Sequence, residues 1–418
     1  MQSCDRPTTP RLALGDWRPY GLAALGLIGL LLYILLWSPN FTAEVPGGDY
    51  LDFYMAGRIL RDGDPARFYD FAYQLEFQND SARFGLTSSE PLSALYIYPP
   101  FFAWFCLPFT YLPFREGAAA WALLMTACLI AAVWLTVRSL ELRPPAFAWA
   151  LLASLFFAPA LISIYSCQNA TLSLLILSAT FFLLRRGQPF AAGAVFALLA
   201  FKPQLGLVIT GVMLWKRQWS FLLGALLIGL AVAGACMAVS PAATLDYLRL
   251  GPTLSRWIDL PNLPLAEMSS WRGFWRLLLT GRSVREAELV SSLCSLATIA
   301  LMVWALRGRP CNTADVALAF AVVLPATVLV SPHLLAYDLT LLLLPMTIAL
   351  GARPVPRDRA RDPLWLASAV LYLAAGASRW VAEAVGLQIV VPVVFLYIGV
   401  VGWVMRRELA GAAPHRAA

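Results

Sequence analysis

The sequence predicts an all-α polytopic membrane protein, and three observations support this. Hydrophobic residues make up 60% of the 418 residues and charged residues 13%, whereas soluble domains contain about 45–50% and about 25%. The apolar residues form separate runs, many of them close to the roughly 20 residues that a helix needs to cross a bilayer. The arginines stand mostly in short loops between these runs. We therefore expect a single membrane domain over residues 1–418.

Twelve apolar runs predict a bundle of about 12 transmembrane helices. The first run follows three arginines, and no small-residue cleavage site comes after it, so we expect a retained helix and not a removed signal peptide. The runs are 20–37, 117–137, 147–165, 168–184, 188–201, 203–215, 219–239, 288–306, 313–330, 335–351, 363–383 and 388–405. The boundaries of the two short runs between residues 188 and 215 are the least clearly marked.

The basic loops predict the orientation of the bundle. With the N-terminus in the cytoplasm, every short basic loop lies on the cytoplasmic side, as the positive-inside rule requires. These loops contain Arg138 and Arg143, Arg185 and Arg186, Lys216 and Arg217, Arg307 and Arg309, the segment 353–361, and Arg406 and Arg407. The tails 1–18 and 406–418 are then cytoplasmic. The long loops 38–98 and 240–287 are extracytoplasmic.

The apolar segment 99–113, PPFFAWFCLPFTYLP, has only 15 residues and four prolines. A full crossing here would invert every later loop and break the charge pattern, so we expect a re-entrant or interfacial segment. The net charge of +7 is explained by the cytoplasmic loops and does not indicate nucleic-acid binding. Seven cysteines without a CxxC pair, and only two histidines, predict neither a disulfide framework nor a metal site.

Polar residues interrupt the apolar pattern on the predicted outer side, beginning directly after the first run. In PGGDYLDFYMAGRILRDGDPARFYD, two glycines before Asp49 let the backbone fold tightly and return this carboxylate to the membrane surface. The stretch DFYMAGRIL, which contains Asp52 and Arg58, predicts a short amphipathic helix. Asp49 and Asp52 are either functional acids or ordinary helix-cap and loop acids.

Two further breaks stand between apolar runs. In YSCQNATL, Gln168 and Asn169 either cap the following helix or offer amide hydrogen bonds to a polar ligand. In AFKPQLGL, a lysine lies at bilayer depth, where a charge costs at least about 2.5–3.5 kcal/mol. Pro203 breaks the helix at this point. Lys202 therefore either faces the bundle interior or snorkels to the outer interface.

The stretch VSPHLLAYDLTLLLLP repeats the pattern of a proline break followed by polar residues. Pro332 breaks the run, and we expect His333 and Tyr337 to share a helical face at i and i+4, with Asp338 turned aside. His333 is either functional or a satisfied residue of the interface. The breaks that fall together on the outer side are 46–54, 98–100, 165–169, 202–204 and 332–338. A transporter site is expected near the midplane, so this outer cluster favours an enzyme that acts on a lipid-linked substrate.

Four blocks resemble glycosyltransferase family 87. They read GGDYLDFYMAGRILRDGDPARFYD, YIYPPFFAWFCLPFTYLPF, QNATLSLLILSATFFLLRRGQPFAAGAVFALLAFKPQLGL and SPHLLAYDLTLLLLP, and their order and spacing are specific for the family but not for a substrate. This family consists of membrane enzymes of the GT-C superfamily, including bacterial polyprenyl-phosphate-mannose-dependent α-mannosyltransferases. The resemblance implies a GT-C-like bundle in a bacterial inner membrane, with the active site facing the periplasm.

The resemblance also implies roles for individual residues. An acid in the first outer loop acts as general base on the acceptor hydroxyl, and the matching residue is Asp49, with Asp52 ranked second. We expect Lys202 to hold the lipid phosphate, and the arginines Arg256 and Arg272 to hold that phosphate or an anionic acceptor. The further substrate contacts that we expect are Gln168, Asn169, His333, Tyr337, Asp338, Arg58, Tyr98 and Gln204. His333 stands where the family more often has an aromatic residue.

The resulting hypothesis is an inverting membrane glycosyltransferase that moves a hexose, with mannose expected, from a polyprenyl-phosphate sugar to a lipid or glycan acceptor. The lipid-linked sugar is a substrate, and we expect neither a cofactor nor a metal ion. The DGD at 62–64 is a superficial match to a metal-binding motif. Two alternatives stay open: a ligase or polymerase of lipid-linked glycans, and a transporter or lipid flippase.

Overall fold

The computed structural model describes residues 48–80, 89–93, 95–257, 265–308, 313–351 and 362–412. These ranges form α-helices and short 3-10 helices, and they contain no β-strand. The α-helices are α1 Tyr50–Asp62, α2 Phe71–Asn79, α3 Pro100–Cys106, α4 Phe114–Ser139, α5 Pro144–Leu155, α6 Ala158–Tyr165, α7 Ala170–Arg185, α8 Pro189–Phe196, α9 Pro203–Trp215, α10 Trp219–Val239, α11 Pro241–Trp257, α12 Trp271–Leu278, α13 Val284–Leu306, α14 Thr313–Val330, α15 Leu343–Gly351, α16 Pro363–Val385 and α17 Val390–Ala412. The 3-10 helices are Pro65–Arg67, Leu107–Tyr111, Ala197–Phe201, Leu265–Glu267 and Ala336–Leu342. The prediction of an all-α fold is confirmed.

Apolar helices account for the predicted membrane domain. Among the described residues, five helices are long and apolar enough to span a membrane, namely α4, α10, α13, α16 and α17. Helices α5 and α6 are apolar enough to span only as a pair, and because the pair is sharply bent it forms either a sixth, broken span or a re-entrant loop. The shorter apolar helices are α7, α8 with its 3-10 extension, α9, α14, and the 3-10 helix Ala336–Leu342 with α15. The run 20–37 lies outside the described residues, so the number of about twelve stays a prediction.

One predicted span is broken in two. The sequence predicts a continuous helix over 147–165, but α5 ends at Leu155 and α6 begins at Ala158, with the two axes bent by 63°. Pro159 explains the break, because it has no N–H to donate to the carbonyl of Leu155 and its ring would clash with that carbonyl. The break frees α6 to pack against the 3-10 helix Ala336–Leu342.

The helices run between two chemically different ends. At the first, which we call the basic end, hydrogen bonds tie the basic loops together: Arg185 donates to the carbonyl of Ser139, Lys216 to that of Leu306 and Arg406 to that of Arg307. At the opposite end, the polar end, Lys202 forms an ion pair with Asp338. Helix α9 connects the two, because it begins after Lys202 and ends before Lys216. The basic loops and the polar breaks therefore separate along the bundle, as the charge pattern predicts.

The residues on either side of the segment 99–113 both pack against α1. The segment itself forms α3 and a 3-10 helix. Tyr98, just before it, contacts Phe53 in the first turn of α1, with ring centroids 5.5 Å apart. Phe114, just after it, contacts Tyr50 in the same turn at 5.3 Å. Because both ends of the segment pack on one turn of α1, the structure supports the prediction that it does not cross the membrane.

Candidate active site

Lys202 lies at the helix break that the sequence predicts, and it faces the interior. The 3-10 helix ends at Phe201, and Pro203 begins α9, so the backbone between them is not helical. The Lys202 ammonium lies 2.7 Å from the Asp338 carboxylate, and both residues are only 4% exposed. The ring of Tyr337 faces the ammonium, with its centroid at 5.2 Å. The snorkelling interpretation is therefore wrong, because the lysine is buried and paired inside the bundle.

The segment after α14 differs from its predicted form. We expect His333 and Tyr337 to share one helical face, and this is wrong, because the 3-10 helix begins only at Ala336. Pro332 interrupts the run before any helix can include His333. Both Tyr337 and Asp338 therefore reach Lys202, whereas the sequence predicts that Asp338 turns aside. Burial lowers the pKa of His333, and its Nδ1 has no hydrogen-bond partner.

Asp49 lies at the start of α1, the predicted amphipathic helix, which buries its apolar side chains and leaves Arg61 and Asp62 partly exposed. Tyr50 and Phe53 in its first turn pack on Trp121 of α4, with ring centroids 6.0 and 4.9 Å away. Gly48 adopts a φ of +35°, which favours glycine, and turns the chain into the helix. Asp49 occupies the N-cap position, but its carboxylate makes no capping hydrogen bond. The ordinary helix-cap interpretation is therefore wrong for Asp49.

The carboxylate of Asp49 is electrostatically coupled to two other candidate residues. Burial raises the pKa of Asp49, whereas interactions with the Gln168 side chain and the Lys202 charge lower it in part. These interactions bring together residues from three separate breaks in the sequence. A carboxyl group with a raised pKa accepts a proton more readily than an exposed aspartate, which suits a general base.

The amides of Gln168 and Asn169 do not act as helix caps. Asn169 precedes α7 at the N-cap, yet its side chain makes no capping hydrogen bond. It is completely buried, and both its side-chain oxygen and nitrogen lack a hydrogen-bond partner; the side-chain oxygen of Gln168 lacks one too. Leaving such a group unpaired costs about 1–3 kcal/mol. Unpaired, buried amides beside Asp49 are what a site for a hydroxyl-rich ligand requires before the ligand binds.

Asp52 and Tyr98 belong to the same cluster. Asp52 lies one turn after Asp49, and burial together with the charge of Asp49 raises its pKa well above the ordinary range. Burial also raises the pKa of the Tyr98 phenol, and the charges of Asp338 and Asp52 raise it further. The side chain of Asn169 lies near enough to this phenol to lower its pKa in part, although no hydrogen bond joins the two side chains. The cluster therefore contains members of all five polar breaks that the sequence places on one side of the membrane.

Four other candidates have different surroundings. Arg58 pairs with Asp62 on its own helix, at 2.7 Å. Gln204 follows Pro203 in the first turn of α9 and is half-buried. The remaining two are arginines: Arg272 pairs with Glu288 at 2.6 Å and lies near enough to His333 to affect its pKa, whereas the side chain of Arg256 lies outside the described part of the chain.

Sequence reasoning misses Glu267, at the edge of the cluster. Burial raises the pKa of Glu267, and the charge of Arg379, 3.2 Å away, partly lowers it. The charge of Asp49 also raises the pKa of Glu267, so the two acids lie near each other. Nothing in the sequence distinguishes this acid from the other acids of the outer loops. Its pairing depends on the tertiary fold, which brings Arg379 of α16 next to it.

Sequence reasoning also misses Ser270. It stands at the N-cap of α12 without capping it, it is fully buried, and its hydroxyl has no hydrogen-bond partner. The preceding residue, Ser269, donates its N–H to the carbonyl of Leu334 at 2.8 Å, next to His333. A serine before a helix is a common capping pattern, so this signal points away from a ligand site when it is read from the sequence alone.

The described side chains can supply proton transfer and charge stabilisation. Asp49 can take a proton, Lys202 can face a developing negative charge, and the two amides can bind hydroxyl groups. Among the described residues, no group of three or more His, Cys, Asp or Glu side chains is arranged to hold a metal ion. These parts suit a transfer reaction to a hydroxyl group.

Comparisons with known proteins agree with this chemistry. The sequence model of Glycosyltransferase family 87 matches residues 96–332, which include Gln168, Asn169 and Lys202. The chain has no match among curated proteins. A solved structure that it is similar to is described as ArnT from Cupriavidus metallidurans bound to undecaprenyl phosphate, with 14% sequence identity, a TM-score of 0.40, and coverage of 94% of this chain and 79% of that chain.

Proposed function

Because the chain belongs to glycosyltransferase family 87, we propose that it transfers a hexose, mannose, from a polyprenyl-phosphate sugar to a lipid or glycan acceptor. The observation that carries the proposal is the meeting of Asp49, Gln168, Asn169 and Lys202, which come from three separate helix starts. The solved structure to which the chain is similar is described as bound to undecaprenyl phosphate. We place this site at the periplasmic face of a bacterial inner membrane, with both chain ends in the cytoplasm.

In the proposed reaction, Asp49 is the general base. It takes the proton of the acceptor hydroxyl as the oxygen of that hydroxyl forms a bond with the anomeric carbon. The bond between the anomeric carbon and the phosphate oxygen breaks on the opposite side, and its electron pair stays on the phosphate. The configuration at the anomeric carbon is therefore inverted, so a β-linked phosphate donor gives an α-glycoside.

Lys202 stabilises the phosphate as its negative charge grows. The ammonium has three N–H groups, and Asp338 accepts from one of them at 2.7 Å. The buried position strengthens this interaction, because little water screens the charge. In this proposal, the amide of Asn169 and the phenol of Tyr98 bind hydroxyl groups of the sugar, which is supported by the unpaired amide and by its proximity to the phenol.

The base is tested by the Asp49→Asn variant with purified protein and a polyprenyl-phosphate mannose donor. We expect a loss of transfer of about 10²–10⁴-fold, the usual contribution of a general base. The matched control is Asp62→Asn, because Asp62 ends the same helix and pairs with Arg58 and Arg61 on its partly exposed surface. Near-normal turnover by Asp49→Asn contradicts the assignment of the base. Transfer should survive EDTA, because no metal ion takes part in this scheme.

The chain provides a matched control for Lys202, because Lys202 and Lys216 are its two lysines. Lys202→Met should lower kcat by about 10²–10³-fold, as expected on removal of a group that stabilises charge in the transition state. Lys216→Met, at the basic end, should keep its activity. Both proteins should elute as single species in size-exclusion chromatography. If Lys202→Met retains activity, the lysine does not hold the phosphate.

Product analysis separates this proposal from its alternatives. A glycosyltransferase yields a covalent product that carries one added hexose, which mass spectrometry detects. A ligase or polymerase of lipid-linked glycans instead adds oligosaccharide units. A transporter or flippase moves the lipid between leaflets of a liposome without forming a product, and that outcome would exclude an enzymatic function.

A further inference from the structure

The cations described around the candidate active site are each already paired with a carboxylate. The three pairs are Lys202 with Asp338 at 2.7 Å, Arg272 with Glu288 at 2.6 Å, and Arg379 with Glu267 at 3.2 Å. Two more carboxyl groups belong to the same cluster, because the charge of Lys202 acts on Asp49 and that of Asp49 acts on Asp52. Within the described side chains, the site therefore holds more carboxyl groups than cations before any substrate binds.

The pair of Lys202 and Asp338 is the most buried of the three. The side chains of Lys202 and Asp338 are 5% and 6% exposed, whereas Arg272 and Glu288 are 17% and 36% exposed. An anion that approaches Lys202 must share the ammonium with Asp338, at short range and with little screening by water. Each added negative charge on that anion is attracted by Lys202 and repelled by Asp338.

The proposed reaction changes the charge on the lipid phosphate. The donor is a phosphodiester with one negative charge, whereas the product is a phosphomonoester with about 1.5 to 2 negative charges at neutral pH. As the acceptor proton moves to Asp49, one negative charge passes from that carboxylate to the phosphate. The second charge therefore appears beside Lys202 and its partner Asp338.

Resting on the proposed function, we propose that Asp338 is a built-in counter-anion that makes the site prefer a singly charged phosphodiester to a doubly charged phosphomonoester. A lysine without this partner would bind the doubly charged product more tightly than the donor. With Asp338 at 2.7 Å, the gain from the second charge is reduced, and it no longer offsets the greater cost of removing a doubly charged phosphate from water. Asp338 is thus a specificity residue that favours entry of the donor and release of the lipid phosphate.

Binding measurements test this without depending on turnover. The probes are polyprenyl phosphate and its methyl ester, which have the same lipid but carry two charges and one charge. Purified protein in nanodiscs should bind the methyl ester at least roughly tenfold more tightly, which corresponds to about 1.4 kcal/mol. Asp338→Asn should reverse this preference through tighter binding of polyprenyl phosphate. In transfer assays the same variant should show stronger inhibition by polyprenyl phosphate.

A double variant keeps the test decisive if Asp338→Asn does not fold. Lys202→Met with Asp338→Asn removes both charges together, so no buried charge is left alone. It should bind both probes more weakly and still prefer the methyl ester, because the ion pair that it replaces has no net charge either. If Asp338→Asn keeps the preference of the native protein, or if the double variant loses it, the role of Asp338 is wrong while the proposed donor class stands. If the native protein binds neither probe, the donor class is wrong and this inference fails with it.

Discussion

At the scale of single residues, the polar end is marked by helix N-caps that do not cap. Asp70 and Asp362 accept hydrogen bonds from the first backbone N–H groups of their helices. Asp49, Asn169 and Ser270 occupy the same position and make no such bond. A cap contributes about 1 kcal/mol to stability. These three residues forgo that gain, and two of them, Asn169 and Ser270, are also completely buried with unpaired polar atoms.

The pH dependence of transfer should report on Asp49 through its neighbour Gln168. Burial raises the pKa of Asp49, and interaction with Gln168 opposes the rise. As the proposed base, Asp49 works only when ionised, so we expect activity to be lost as the pH falls through the raised pKa. Gln168→Leu removes the opposing interaction and should move the acidic limb of the kcat/KM profile to higher pH. The profile is measured with the purified enzyme and compared with Gln188→Leu, an exposed glutamine at the basic end.

An acidic limb at the same pH in both variants contradicts the coupling of Gln168 to Asp49. A uniform loss of activity at every pH would instead assign Gln168 to substrate contact alone. The two outcomes differ in the position of the limb and not in its height, so they are separable in a single set of measurements.

Residue identity was predictable from the sequence more readily than residue pairing. Lys202 is conspicuous, because a charge in an apolar run is costly. Its partner Asp338 lies 136 residues away along the chain. Such a long separation in sequence gives no sign that the two residues pair. The prediction also assumed a regular helix at His333, and it therefore gave the wrong direction for the side chain of Asp338. Glu267 and Ser270 carried no distinguishing signal, because acids and cap residues are common in outer loops.

At the scale of helices, the position of Lys202 depends on how α8 packs against α10. Gly193 of α8 lies against the backbone carbonyl of Phe221, and Gly224 of α10 lies against that of Phe190. A side chain at either glycine would overlap those carbonyls. Close contact through small residues is a usual way for helices to associate in a membrane. Helix α8 leads through its 3-10 extension directly to Lys202, so this contact supports the site.

Gly193→Leu should therefore reduce stability and activity together. The backbone carbonyl of Phe221 cannot move aside as a flexible side chain does. The loss in free energy of unfolding should therefore exceed the roughly 1–3 kcal/mol of ordinary overpacking. Thermal unfolding in detergent should show a lowered Tm, with a matching loss of transfer. Gly211→Leu on α9 is the control, because a side chain at this exposed glycine meets no atom within 4 Å. An unchanged Tm for Gly193→Leu would mean that the two helices are not in close contact.

Some helix breaks can be predicted from the sequence, and others cannot. The break at Lys202 is visible because Pro203 and a charge coincide. The break at Pro159 was not visible, because proline is tolerated in transmembrane helices and every neighbour is apolar. Periodicity also cannot separate a 3-10 helix from an α-helix in a short apolar run, which explains the unpredicted form of Ala336–Leu342.

At the scale of the whole molecule, charge is separated along the bundle axis. The basic end is held together by hydrogen bonds from Arg185, Lys216 and Arg406 to carbonyl groups. The polar end contains the ion pair of Lys202 and Asp338 and the unpaired amides. The structure thus agrees with the grouping of basic loops predicted from the sequence. The assignment of the basic end to the cytoplasm rests on the positive-inside rule.

Cysteine labelling tests that assignment for the complete protein. In a background without native cysteines, Thr280→Cys places a thiol just after α12 at the polar end, and Gln188→Cys places one before α8 at the basic end; both positions are exposed. A membrane-impermeant maleimide should label Thr280→Cys in right-side-out vesicles at once. It should label Gln188→Cys only after detergent is added. The reverse pattern would put Asp49 and Lys202 on the cytoplasmic side and would contradict the proposed periplasmic site.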